Sequence, residues 1–399
     1  MTSTLIRRGP VSILDTDLYK LTMQKAALDL YPDAEATIQF FDRRLQKLGW
    51  LAPILWKQIE QHMSKLALED HEAKWLAQTC PFLGPGYIEY LRNYRFDPSE
   101  LFALTADDEG DLRIIIKGPW HRAILWEVPL MALISECYFT ADENYKNWNR
   151  DGQDVKAQRK CGILQGGGCT FADFGTRRRR DYSAQDVVVG EFVRSGYKGF
   201  VGTSNVHLAQ KHNTKPIGTM AHEWIQAHAI LSGLRHANRY ALEAWSRVYD
   251  GSLGVALTDT FGTPAFFADF QGLLAHTFDG VRHDSADPFK FADQVVEHYS
   301  GLRIPPSTKT IVFSDSLNSE LAVKIQKHCD TLGINCSFGI GTHFSNDFGG
   351  SLKALNMVLK LIAINGEPVV KLSDDRGKEI GDPDALRVAK WTFFNEPLG

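Results

Sequence analysis

No apolar run reaches the roughly 18 residues that a helix needs to cross a bilayer, and Met1 to Pro10 lacks the apolar centre of a secretory leader. The six cysteines (Cys80, Cys137, Cys161, Cys169, Cys329 and Cys336) contain no Cys-x-x-Cys pair. That argues against a zinc ribbon or a disulfide frame and for reduced, packed thiols. The 13 histidines include no His-Glu-x-x-His, so a metalloprotease has no support. There is no Gly-x-Gly-x-x-Gly and no Walker A segment, which excludes the common dinucleotide and P-loop sites. Positive charge is not in excess: Lys and Arg number 44 against 48 Asp and Glu. Broad binding to nucleic acid or anionic membrane is therefore not expected. These absences leave a cytoplasmic enzyme as the expectation.

What remains is a 399-residue chain, 44% hydrophobic and 23% charged, enough for one large domain and a smaller one. The first part reads as mixed helix and strand. Asp17 stands where it can cap a helix over Leu18–Leu30, and Ala36–Arg43 reads as a strand. Leu51–Leu68 and His71–Gln78 look helical. Leu101–Ala106 and Leu112–Lys117 flank the turn Asp107-Asp108-Glu109-Gly110 and predict a hairpin. Ala123–Ser135 is apolar and should be buried. Ala141–Gln158 is polar and serves as a crossing helix or a linker, which puts a soft boundary near 145.

From about residue 170 short apolar runs alternate with helical stretches, and each run ends in polar residues. Phe171–Gly175 leads to Thr176 and Arg177–Arg180. Phe200-Val201 leads to Gly202-Thr203-Ser204-Asn205. Ile217 leads to His222 and a long helix over Trp224–Tyr249. Gly254–Leu257 leads to Thr258-Asp259-Thr260, Gly280-Val281 to Arg282-His283-Asp284-Ser285, Thr310–Phe313 to Ser314-Asp315-Ser316, and Ser337-Phe338 to Gly339-Ile340-Gly341-Thr342. Strand alternating with helix means parallel strands with crossovers. Polar chemistry after nearly every strand suggests an irregular parallel (β/α) barrel over 146–399, with its site at the carboxyl ends of the strands. A smaller α/β domain formed mainly by residues 1–145, open to completion by C-terminal residues, precedes it. A doubly wound open sheet is the alternative.

Several of these loops suit anions. His222 heads a helix, where N–H groups and the dipole favour a bound or covalently attached phosphate. Asp259, at the next strand end, is a better partner for its imidazole than the adjacent Glu223. Of the four consecutive arginines, Arg177 is the one expected to face a site, with Phe174 available to stack on a planar ring. A run of this kind read by itself is equally well a solvated face. Arg282 and Asp284 suit a phosphate and a ribose hydroxyl or Mg²⁺, whereas Asp287 is explained by helix capping. Ser314-Asp315-Ser316 and Gly339-Ile340-Gly341-Thr342 resemble phosphate or sugar loops.

Leu14-Asp15-Thr16-Asp17-Leu18-Tyr19-Lys20, Phe174-Gly175-Thr176-Arg177, Gly202-Thr203-Ser204-Asn205, Gly218-Thr219-Met220-Ala221-His222-Glu223-Trp224, Arg282-His283-Asp284-Ser285 and Phe338-Gly339-Ile340-Gly341-Thr342 together closely resemble the bacterial type of nicotinate phosphoribosyltransferase, from about residue 12 to 390. The resemblance implies a reaction that joins nicotinate to phosphoribosyl pyrophosphate (PRPP) with Mg²⁺, giving nicotinate mononucleotide and pyrophosphate. ATP hydrolysis would be coupled to it through a phosphohistidine at His222, as the first step of NAD salvage from nicotinate. By the same resemblance Phe174 would stack on nicotinate, with Tyr19 of a neighbouring subunit on the other face, which implies a homodimer with shared sites. Arg177 would hold an anionic substrate group, Arg282 and Asp284 the ribosyl part, and Gly339, Gly341 and Thr342 the 5′-phosphate. Thr203, Ser314 and Asp315 belong to the same substrate-binding set. Ser204 stands where nicotinamide-using relatives carry aspartate, and a serine can donate to a carboxylate. The family usually has Gly at Ala286 and Asn at Ser316.

A nicotinamide- or quinolinate-using transferase is the nearest rival reading. An aldolase or isomerase would need a buried catalytic lysine at a strand end. An RNA-binding protein would need interleaved aromatic and basic residues.

Overall fold

The structure, a computed structural model, describes residues 8–43, 46–141, 152–349, 353–375 and 379–395. An antiparallel sheet is built from β1 (Glu35–Asp42), β2 (Leu101–Ala106), β3 (Leu112–Pro119), β10 (Met357–Ile364) and β11 (Glu367–Pro368), in the order β11-β10-β1-β3-β2. The expected hairpin is β2–β3, and Gly110 at its turn takes φ +82°. Along β1, Ala36, Ile38 and Phe40 alternate into the core, with Phe40 opposite Leu359 and Ile38 opposite Ile116. Because β10 and β11 come from the far end of the chain, this unit draws on C-terminal residues as well as the first 145.

The run Trp120–Thr140 is long and apolar enough to cross a membrane by length and composition, which the sequence reading had not found. It is 83% buried and serves here as the central core helix. Polar residues at its ends and the break after Ala123 hid its length.

The second sheet is parallel throughout. Its strands are β4 (Phe171–Asp173), β5 (Phe200–Thr203), β6 (Val255–Leu257), β7 (Gly280–His283), β8 (Thr310–Phe313) and β9 (Asn335–Ile340), in the order β5-β4-β9-β8-β7-β6. Helices Tyr182–Arg194, Pro288–Gly301 and Ser319–Leu332 follow β4, β7 and β8. Phe171 pairs with Phe338 and Phe313 with Phe338 in register, so the carboxyl ends of the central strands lie level and their loops meet on one side.

The ladder does not close into a regular barrel. Ile217 is not in a strand. The irregular segment around it lies between the two edge strands: Ile217 N–H donates to Thr203 O at 2.8 Å, and Thr219 Oγ1 to Val255 O at 3.2 Å. Pro216 lacks an N–H and Gly218 lacks a side chain, and both weaken a strand here. The single helix expected over Trp224–Tyr249 is two, His222–Leu231 and Ala237–Tyr249, broken where Gly233 takes φ +114°. All six cysteines are free and buried. Part of the expected linker, 142–151, lies outside the described residues, and Gln153–Gly166 is a helix.

Candidate active site

The strand ends surround a cavity of about 780 Å³. Its lining holds Arg43, Arg177, Arg178, Arg282, Lys353, Lys360 and Lys371 against Asp284, Asp315 and Asp347, an excess of positive charge that suits a polyanionic ligand.

His222 sits at the first position of the His222–Leu231 helix. Ala221 before it is extended and offers no side-chain cap, so the first-turn N–H groups keep no competing side-chain acceptor from that position. The imidazole Nε2 lies 2.8 Å from Asp259 Oδ1 and 2.9 Å from Lys371 Nζ. Lys371 also donates to Asp259 Oδ2 at 2.9 Å, as does Ser285 Oγ at 2.7 Å. One ring nitrogen cannot donate to the carboxylate and accept from the ammonium together. With the proton on Nε2 directed at Asp259, Lys371 is satisfied through the carboxylate and Nδ1 keeps its lone pair. Nδ1 has no protein partner among the described residues.

Burial and the Lys371 ammonium lower the pKa of His222 despite the pull of Asp259. Burial alone would raise Asp259, but His222 and Lys371 hold it well below the ordinary carboxylate range. The notch thus favours a neutral imidazole at His222 beside an ionised Asp259. His222, Asp259 and Asp284 offer atoms within 4.8 Å of one another, as a metal site would. Lys371 already supplies the positive charge at Asp259, so a divalent ion fits better beside Asp284.

Arg282 is the last residue but one of β7 and faces the cavity. It donates to Ser314 Oγ at 2.8 Å, Asp284 Oδ1 at 3.1 Å and Met220 O at 3.2 Å. Burial would raise Asp284, yet the Arg282 guanidinium beside it holds its carboxyl at about 2. The loops that carry these groups are strained at two points: Ala286 has φ +68° and Ser316 φ +50°. Both are left-handed, a conformation that suits Gly and Asn and penalises alanine.

Phe174 and Arg177 stand on the opposite wall. Phe174 N–H donates to Ile340 O at 2.9 Å, which lays its ring over β9. A Cβ on Gly339 would come within 2.2 Å of that ring. Gly339 is therefore needed to admit Phe174, a different reason from cradling phosphate. Arg177 keeps 40% of its side chain exposed, and Glu127 Oε1 lies 3.5 Å away. Arg179 and Arg180 are structural, whereas Arg178 lines the cavity. Arg179 is fully buried against Asp15 at 2.7 and 2.8 Å, and the Arg180 guanidinium stacks 3.7 Å from the centroid of Phe139.

Phe174, Arg177, His222, Arg282, Asp284, Ser314, Asp315, Gly339, Gly341 and Thr342 all line the cavity. Asp259 lies behind His222. Thr203 and Ser204 are buried and do not line it: Thr203 Oγ1 donates to Asp173 at 2.7 Å, and Ser204 Oγ to Asp17 at 2.7 Å. The only hydroxyl proton of Ser204 is thus already taken. That bond also draws the Asp17 carboxylate away from capping its helix, for which it makes no side-chain bond. Tyr19 does not line the cavity of its own chain. Leu18 N–H donates to Ser204 O at 2.8 Å, and the Tyr19 hydroxyl feels Glu127, Arg177, Asp17 and Arg282.

Sequence reasoning missed Lys371 and Lys360. Lys360 is a lone charge within the apolar β10, and that isolation was the available signal. Burial, with Lys371 and Arg43 nearby, pushes its ammonium down to about 7.

The N-terminal-domain model of the nicotinate phosphoribosyltransferase (NAPRTase) family matches residues 14–135, and the family's main model matches residues 169–397. The chain is 49% identical to the nicotinate phosphoribosyltransferase of Methanosarcina mazei, covering 97% of this chain and 99% of that one. It is 48% identical to that of Methanosarcina acetivorans, again over 97% and 99%. The crystal structure of nicotinate phosphoribosyltransferase from Porphyromonas gingivalis superposes with a TM-score of 0.91 at 39% identity, covering 98% of this chain and all of that one.

Proposed function

The chain belongs to the nicotinate phosphoribosyltransferase family, and from that membership we propose that it joins nicotinate to PRPP, giving nicotinate mononucleotide and pyrophosphate. The observation that carries this reading is one cationic cavity that brings together Phe174 and Arg177 on one wall and Arg282, Asp284 and Ser314 on the other. The first pair suits a flat ring with a carboxylate, and the second a sugar bearing phosphates.

The pyridine nitrogen attacks the anomeric carbon. The carbon–oxygen bond to the diphosphate breaks, and its electron pair leaves with pyrophosphate. The attacking nitrogen carries no proton, so no general base is required. The residues act by positioning and by charge. Arg177 orients the nicotinate carboxylate, Tyr19 lies near it, and Arg282 with Ser314 holds the phosphoribosyl group. Mg²⁺, held beside Asp284, neutralises charge on the diphosphate when bound.

The same proposal assigns ATP to His222. Nδ1, with its lone pair free, attacks the γ-phosphorus and ADP leaves. Water later cleaves the phosphorus–nitrogen bond and restores the imidazole. Asp259 orients the ring and stabilises positive charge that develops on it. Function as a cytoplasmic homodimer, at the entry of nicotinate into NAD salvage, completes the reading.

The test is mononucleotide formation by the purified protein with PRPP, Mg²⁺ and ATP, with nicotinate, nicotinamide or quinolinate offered in turn. Product from nicotinate alone is expected. Product only from nicotinamide or quinolinate would discard the substrate assignment.

A further inference from the structure

The reaction above leaves one amine of the cavity without a role as a nucleophile. Lys360 lies on β10, the strand that the far end of the chain adds to the antiparallel sheet. Successive side chains of a strand leave on opposite faces. Leu359 and Leu361 pack into the core, and Val358 and Lys360, on the other face, line the cavity. The other lysines of the lining are placed differently. Lys371 donates to Asp259 at 2.9 Å, and Lys353 is exposed.

The Lys360 ammonium makes no hydrogen bond or ion pair among the described residues. The charged groups that face it are Lys371 on the C-terminal segment, Arg43 at the end of β1, Glu127 at the start of the Glu127–Ala141 helix and Arg177 in the turn after β4. Three of these are cations, and Glu127 is already shared by Lys20 and Arg177. Burial first, and then these cations, bring the loss of its proton down to about 7. A neutral lysine amine in such a place is a nucleophile. The cavity also selects what reaches it. Phe174 offers a face to a planar ring, and Arg43, Arg177 and Arg282 offer charge to a phosphate.

We infer that Lys360 is a covalent binding site for phosphorylated aldehydes: the cations of the cavity hold the phosphate, and the Lys360 amine condenses with the carbonyl carbon. The Nζ lone pair attacks that carbon. The nitrogen gives up two protons to the carbonyl oxygen, which leaves as water, and a C=N bond remains. No oxidant or reductant takes part. The step is reversible, so such aldehydes occupy the cavity as inhibitors. The inference needs only the cavity and its cations, whichever acceptor the transferase uses.

The probe is pyridoxal 5′-phosphate, a planar pyridine that carries both the aldehyde and a phosphate. The intact protein is incubated with it at neutral pH, reduced with borohydride to fix the imine, and mapped by peptide mass. Lys360 is expected to take the label about 10-fold or more faster than an exposed lysine such as Lys57. Its labelling should rise as pH passes upward through about 7, where the neutral amine appears. Pyridoxal, which lacks the phosphate, should label it about 10-fold more slowly. Lys360→Arg keeps the cation and removes the nucleophile, so label should vanish from the β10 peptide and persist at a slow rate elsewhere. If that variant does not fold, the map of the intact protein decides. Label spread over surface lysines, label on Lys371 or Lys353 with Lys360 unmodified, or no label at all overturns the inference. Equal labelling of Lys360 by pyridoxal overturns the part given to the cations.

Discussion

The notch at His222 and the wall formed by Phe174, Arg177 and Lys360 face one cavity and differ in how their charges are met. In the notch every charge has a partner: Lys371 and Ser285 meet Asp259, and Asp259 meets His222. On the wall, cations outnumber partners. Arg177 has one carboxylate at 3.5 Å, and the Lys360 ammonium makes no hydrogen bond or ion pair among the described residues. A satisfied cluster fixes a tautomer and a nucleophile. An under-satisfied one keeps its donors for a ligand that brings its own negative charge.

The sharpest break of that comparison is His222→Asn. Removing the nucleophile should bring the ratio of rates with and without ATP to one while leaving slow transfer, read as initial mononucleotide formation. Next is Arg177→Met on the wall. The nicotinate KM should rise about 10- to 100-fold, the loss of one charge-assisted bidentate contact, with a smaller change in the PRPP KM.

A third test moves the notch without emptying it. Lys371 lowers the pKa of His222, so Lys371→Met should raise it. His222 must be neutral to be phosphorylated, so the acid limb of its labelling by ATP should shift to higher pH in the variant. An unmoved limb would remove Lys371 from the notch's electrostatics. On the wall the sign is opposite. The Lys360 ammonium is lost as pH rises through about 7, so PRPP affinity should weaken over that window and Lys360→Met should flatten the profile.

The smallest effect lies in the strained loop. Ala→Gly ordinarily destabilises by about 0.5–1 kcal/mol through the unfolded chain. At Ala286, with φ +68°, relief of the left-handed strain of about 1–2 kcal/mol should outweigh that. Ala286→Gly is expected to stabilise by about 0.5 kcal/mol in urea unfolding.

What was legible in the sequence is local. The β2–β3 hairpin follows from a Gly-ended acidic turn between apolar runs, and the parallel strands from apolar runs followed by helices. The residues facing the cavity were found because strand ends project their loops to one side. What was not legible is pairwise and distant. The partners of Lys20 are 107 and 203 residues away, and Lys371 reaches back 149 residues to His222. Ser204 looked free for a ligand because nothing local shows that Asp17 takes its proton. The segment at Ile217 was read as a strand because its hydrophobicity is that of one, while Pro216 and Gly218 beside it keep the ladder open.

The central claim is that the saturated notch presents Nδ1 of His222 to ATP. The direct measurement is to incubate the protein with γ-labelled ATP and map the acid-labile phosphate, in the intact chain and in His222→Asn. Label is expected on His222 at Nδ1, and none in the variant. Label that survives in His222→Asn, or label on Nε2, would contradict it.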